Sequence, residues 1–230
     1  NKLFMYLSVV LVLLSSIVLI LIVFLKRDGG IFSVMPQAGP AIFIDKTEFK
    51  SIDGLDRNKI METISNQAEN TKLKIGGVEG IYLTENKKVI GFRRFLTLLQ
   101  GELTREQTQL IGENFLLGVV NKEGTKYPFI LLKVKSFLDI FPVMRAWEKE
   151  ILNNMHEFFG VEISSDTSYL FNKSFEDGIV FNKNARVLRD NDVNIALMYI
   201  FVNDTSVIIA NSEQATTELI LRLFSSQINK

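Results

Sequence analysis

Leu3 to Leu25 reads LFMYLSVVLVLLSSIVLILIVFL, an apolar run without a charge, and Lys26-Arg27-Asp28 follows it at once. A helix needs roughly 20 apolar residues to cross the hydrocarbon core of a bilayer. The run therefore predicts a transmembrane anchor in residues 1–27, with lipid as its first partner. A cleaved signal peptide is disfavoured, because the run ends in Val23-Phe24-Leu25 where cleavage would want small residues. A core helix of this length would be expected to keep a polar face. Ser8, Ser15 and Ser16 could help the span pack a partner helix.

Residues 28–40, DGGIFSVMPQAGP, carry a glycine pair and two prolines without an apolar period, and read as a linker. Residues 41–230 remain for a soluble domain, enough for one core, or for two subdomains meeting near 160–174. Lys26 and Arg27 against Lys2 would place that domain in the cytoplasm by the positive-inside rule. That count covers only the residues from Asn1 onward, and the expectation adopted is an extracytoplasmic domain. The absence of cysteine is compatible with that placement and gives no disulfide framework to confirm it.

Within the domain the apolar period changes repeatedly between that of a strand and that of a helix. Strands are predicted at Ala41–Asp45, Thr47–Ile52, Leu73–Ile75 and Val78–Leu83. A helix opened by Asp56 has Ile60, Ile64 and Ala68 inward. Phe92, Phe95, Leu96 and Leu99 mark a second helix, and Thr104 with Gln107 a capping box for a third. Phe115–Asn121 and Tyr127–Lys135 form a hairpin around Lys122-Glu123-Gly124. The strongest helical stripe follows, Ile140, Phe141, Met144, Trp147, Ile151, Met155 and Phe158, with Asp139 as the expected cap so that Pro142 falls in the first turn. After a polar loop at Ser164–Lys173 come strands Phe175–Asn182, Ala185–Arg189, Ile195–Val202 and Ser206–Ala210, separated by NKN, DNDVN and NDT. A helix capped by Ser212 then buries Ala215, Leu219, Ile220 and Leu223. The expected fold class is α+β: one N-terminal transmembrane helix, then helices packed on a largely antiparallel sheet.

The charge is balanced, 26 basic residues against 26 acidic, so no basic excess exists to hold a phosphate backbone and nucleic acid is excluded as a partner. His156 is the only histidine and cysteine is absent, which closes the usual zinc ligand sets. His156 reads as a helix-end residue favoured by the dipole. Asp190, Asp192 and Asn194 copy three calcium-loop positions, but Ile195 stands where the loop needs Gly and Phe201 where it needs Glu. A hairpin turn is expected there. Glu148 with Glu150, and Glu176 with Asp177, are neighbouring acids that read as solvated faces. Gly76-Gly77-Val78-Glu79-Gly80 lacks the Lys-Ser/Thr of a phosphate loop and reads as a turn. Asn172-Lys173-Ser174 and Asn203-Asp204-Thr205 are formal glycosylation acceptors. No catalytic, cofactor-binding or metal residue is assigned, and no cofactor is expected.

PAIFIDKTE, PFILLKVKSFLDIFPVMRAWEKEI and FEDGIVFNKNARVLRDNDVNIALMYIFVNDTSVIIANSEQATTELILRL together resemble a family of uncharacterised single-span membrane proteins of candidate-phyla (Patescibacteria-type) bacteria. The resemblance implies a bacterial envelope protein with its domain outside, and no catalytic residues. A pilus subunit is disfavoured, because the pilin pattern wants Glu where Met5 stands. The expected function is non-enzymatic: a membrane-anchored envelope protein whose domain mediates protein–protein interaction, assembly or homo-oligomerisation. The alternatives are a membrane-tethered hydrolase with an acid/His site and an accessory component of a type IV pilus-like machine.

Overall fold

The central strands of this domain are apolar at consecutive positions, as in Phe129-Ile130-Leu131-Leu132 and Val207-Ile208-Ile209-Ala210, all of them buried. Successive side chains of a strand point to opposite faces. Such strands need cover on both faces. The computed structural model, which describes residues 42–228, supplies it.

One sheet contains nine strands: β1 (Lys46–Ser51), β2 (Val78–Glu85), β3 (Lys88–Val89), β4 (Ile111–Lys122), β5 (Thr125–Val134), β6 (Glu176–Val180), β7 (Lys183–Arg189), β8 (Ile195–Asn203) and β9 (Ser206–Ala210). Their order is β1-β2-β4-β5-β9-β8-β7-β6, with β3 paired to β2. β1 and β2 are parallel and every other pair is antiparallel. Helices α1 (Arg57–Asn70), α2 (Phe92–Leu98) and α4 (Phe137–Met155) cover one face, where Ile64, Phe95 and Trp147 join Ile81, Leu117, Ile130 and Val207. Helix α5 (Glu213–Ile228) covers the other, setting Ala215, Leu219 and Leu223 against Val120, Phe129 and Ile208. The short α3 (Arg105–Thr108) connects α2 to β4. The domain is α+β with a mostly antiparallel sheet, and strands from both sides of 160–174 lie in that one sheet.

The helix starts follow their caps. Asp56 accepts the Lys59 N–H at 2.9 Å, and Thr104 and Gln107 form the reciprocal capping box. Ser212 accepts the Ala215 N–H at 3.3 Å. At α4 the expectation was one turn late. Ser136 is the cap, accepting from the Asp139 N–H at 3.2 Å. Pro142 therefore sits in the second turn, where it withholds an amide hydrogen from the carbonyl of exposed Leu138. Phe141 is half-buried at the end of its stripe.

Three further expectations differ from the structure. Residues 42–45 form no strand. Ile42 is buried beside the sheet, and Asp45 is held by a bond from its N–H to the Val78 carbonyl at 2.8 Å and one from the Val78 N–H to its carboxylate at 2.9 Å. Leu73–Ile75 likewise lies outside the ladder, and Gly76, with φ +77°, makes the expected turn. The turn expected at Asn182–Asn184 is at Phe181-Asn182, so Lys183 and Asn184 belong to β7. The predicted anchor and the linker 28–40 lie outside the described residues. Among the described residues no helix is long and apolar enough to cross a membrane.

Gly80 and Gly118 are paired across β2 and β4 on the α5 face. A Cβ on Gly118 would stand 2.4 Å from the Glu79 carbonyl oxygen and 2.5 Å from the Phe129 ring, so the ring of Phe129 occupies the space of the missing side chain. Gly118→Ala should lose about 2 kcal/mol of stability through overpacking, read as a lowered urea midpoint with unchanged slope. An unchanged midpoint would show that this close approach is not a constraint.

Candidate functional site

The β6–β7 hairpin closes through a two-residue turn, Phe181-Asn182, with φ of +49° and +56°. Asn86-Lys87 and Glu123-Gly124 make comparable left-handed turns between β2 and β3 and between β4 and β5. Such turns favour Asn, Asp or Gly, because an L side chain at positive φ crowds its own backbone. Phe181 departs from that preference, as do Lys87, Glu123 and Val193, and among the described positive-φ residues it is the one aromatic. It holds a bulky ring in this conformation and leaves it 47% exposed, while Ile179 on the adjoining edge strand is 76% exposed.

Beside that edge the strands and α4 build a polar row. Asp177, Arg186 and Tyr199 are cross-strand partners on β6, β7 and β8, so their side chains line up across the face that α4 covers. Glu148 comes down from the helix. Arg186 donates to its two carboxylate oxygens at 2.8 and 3.1 Å, to Asp177 at 2.8 Å and to the Phe175 carbonyl at 2.6 Å. Tyr199 donates its hydroxyl to Glu148 at 2.6 Å. The guanidinium is nearly inaccessible, whereas the Asp177 side chain is 87% exposed. Hydrogen bonding to Glu148 pushes Arg186 further up from its already high pKa, against the opposing effect of burial. Burial, then the Glu148 bond, pushes the Tyr199 hydroxyl well above its usual range. Glu148 and Arg186 therefore form a fixed ion pair, and Tyr199 stays a donor.

Next to the row lies a cavity of about 420 Å³ whose lining includes Phe137, Phe141, Ile179 and Phe201 together with Asp177 and Arg186. Phe137 meets Phe201 edge-on at 4.8 Å and Phe141 at 5.5 Å. The first turn of α4 is fixed over the strands by Asp204, which accepts the Phe137 N–H at 3.0 Å.

A second cavity, about 460 Å³, is bordered by Glu62, Ser65, Glu69, His156, Glu157 and Glu162. His156 Nδ1 lies 3.0 Å from the Val161 carbonyl, and the ring is edge-on to Phe171. The Ser65 hydroxyl is buried without a hydrogen-bond partner. Elsewhere Glu79, fully buried, takes Gln67 at 2.6 Å and Lys46 at 2.8 Å, together with Thr71, and so ties α1 and β1 to β2.

The acids paired in the sequence are divided by the fold. Glu148 turns inward and Glu150 does not join it, while Glu176 and Asp177 point to opposite faces of β6. Asp190 sits in a hairpin turn between β7 and β8, accepting the N–H groups of Asp192 at 2.9 Å and Asn194 at 2.8 Å. Burial alone would raise its carboxyl. Hydrogen bonds from the Asn194 side chain and from the backbone of Asn194 and Asp192 bring it below the usual range instead. Among the described residues no cluster of His, Asp and Glu is arranged to hold a metal ion. Compared with known proteins, the chain matches no family model, no curated protein and no solved structure.

Arg186, Tyr199 and Glu79 escaped the sequence reading. The available signal was a polar group at positions whose i±2 neighbours, Leu188, Leu197, Phe201 and Ile81, all face the helices. Glu148→Ala should lose about 3 kcal/mol in urea denaturation, because it leaves the Arg186 charge buried without its main partner. Tyr199→Phe should lose about 1 kcal/mol, the worth of one hydrogen bond. Equal losses in the two variants would mean that the ion pair is not the stronger element. Phe181→Gly should raise stability by about 1 kcal/mol by relieving the left-handed strain. A lower midpoint would show that the ring is needed for folding.

Proposed function

We propose that this chain is a membrane-anchored envelope protein whose α+β domain binds another protein and performs no catalysis. One observation carries the reading: Phe181 keeps an exposed ring in a strained turn beside exposed Ile179, at an edge with an aromatic-lined cavity next to it. Strain held in the folded state at a solvent-facing position is a mark of a functional surface. The charge balance agrees with an interaction role. The anchor rests on Leu3–Leu25, and the outside placement on the resemblance to single-span proteins of candidate-phyla bacteria. A place in a pilus-like machine is one assembly in which such a domain could serve.

A second reading, a tethered hydrolase, draws on the cavity whose lining includes Ser65, with its buried hydroxyl, and His156, together with several carboxylates.

Protease added to intact cells should remove the domain, and crosslinking with mass spectrometry should then place a protein partner on residues of the β6–β7 hairpin. Capture of a polysaccharide or a small metabolite alone would sink the interaction reading. A fluorophosphonate probe should leave Ser65 unlabelled. Labelling that disappears in His156→Ala would put the hydrolase first.

A further inference from the structure

We infer that the partner binds as an extended strand added to β6, presenting an apolar side chain to the aromatic cavity and, two residues away, a basic side chain to Asp177. This rests on the interaction reading above and specifies its partner. The two edges of the sheet differ. β1 carries Lys46 and Lys50, the kind of charge that blocks edge pairing, whereas β6 is Glu176-Asp177-Gly178-Ile179-Val180, with two acids and no base.

The backbone is ready for such an addition. In a two-residue hairpin the closing pair exchanges both hydrogen bonds. Val180 and Lys183 are that pair, so by alternation Val180, Gly178 and Glu176 bond to β7. The N–H and C=O groups of Asp177 and Ile179 then point outward, and no loop or turn of the described residues takes them.

The same two residues face the α4 side, where the cavity lies. A strand laid antiparallel to β6 meets Ile179 first and Asp177 second, which reads apolar-x-basic from N to C terminus. A parallel strand would read basic-x-apolar. Asp177 has one oxygen on Arg186 and remains open to solvent, so it can take a second cation. A second copy of β6 fits poorly, because pairing about Gly178 sets Asp177 against Ile179 of the other copy. Main-chain bonds would supply affinity and the alternate side chains specificity, as in other strand additions.

The test is fluorescence polarisation of seven-residue peptides against the full chain in detergent. Apolar-x-basic peptides should bind at least tenfold more tightly than apolar-x-acidic ones, and Asp177→Lys should invert that preference. Ile179→Pro removes an outward N–H without touching the β7 ladder, an edge position where proline is tolerated. It should abolish binding while circular dichroism and the urea midpoint stay near wild type. Ile179→Lys should do the same through charge. Peptide binding that persists in both variants overturns strand addition, as does concentration-dependent dimerisation that Ile179→Lys breaks. If no peptide binds but crosslinking still captures a protein on another face, strand addition fails and the interaction reading stands. If neither finds a partner, both fail.

Discussion

A guanidinium held under a helix by two carboxylates and a carbonyl fixes how α4 lies on the last strands. Removing a charge of this kind from water is unfavourable by several kcal/mol unless nearly every donor is engaged. Arg186 meets that condition with Glu148, Asp177 and the Phe175 carbonyl, and Tyr199 occupies part of what remains of Glu148. The pair specifies geometry more than it adds stability: the helix must present Glu148 at one height above β7, and the first turn must then bring Phe137 and Phe141 over Phe201. The aromatic cavity thus inherits its shape from an ion pair several turns along the same helix.

A parallel arrangement operates at the opposite end of the sheet. Arg222 of α5 donates to the carbonyls of Phe43 at 3.0 Å and Gly76 at 2.6 Å, and pairs with Asp45 at 2.9 Å. The first described residues are thereby pinned to the face that α5 covers. Both edges of the sheet are stabilised by an arginine, but one edge strand carries lysines and the other carries acids without a base.

Much of this fold was legible from spacing. The stripes Ile60-Ile64-Ala68 and Ala215-Leu219-Leu223, the caps Asp56, Thr104 and Ser212, and eight of the nine strands in outline follow from apolar period and local hydrogen-bonding chemistry. The errors came where a tertiary contact overrides local preference. AIFID has strand composition, yet its Ile42 is used to cap a core. Phe181 has no turn propensity, so the turn was displaced to the residues NKN that do. The candidate site was mostly hidden for a different reason. Asp177, Arg186, Tyr199 and Glu148 lie up to 51 residues apart, and only the register of three strands makes them neighbours.

The position of β9 in the sheet bears on how the chain reaches this state. Although it is the final strand of the sheet in sequence, β9 lies between β5 and β8 and, among the described residues, is the one strand joining the first five strands on one side to the hairpins on the other. During synthesis, β5 emerges with an edge rich in Phe129, Ile130, Leu131 and Leu132, and that edge stays open until Ala210 has left the ribosome. Non-local pairing of this kind is slow, and an apolar edge waiting for its partner is vulnerable to pairing with other chains. The nascent protein thus depends on the late arrival of five residues to close its own surface.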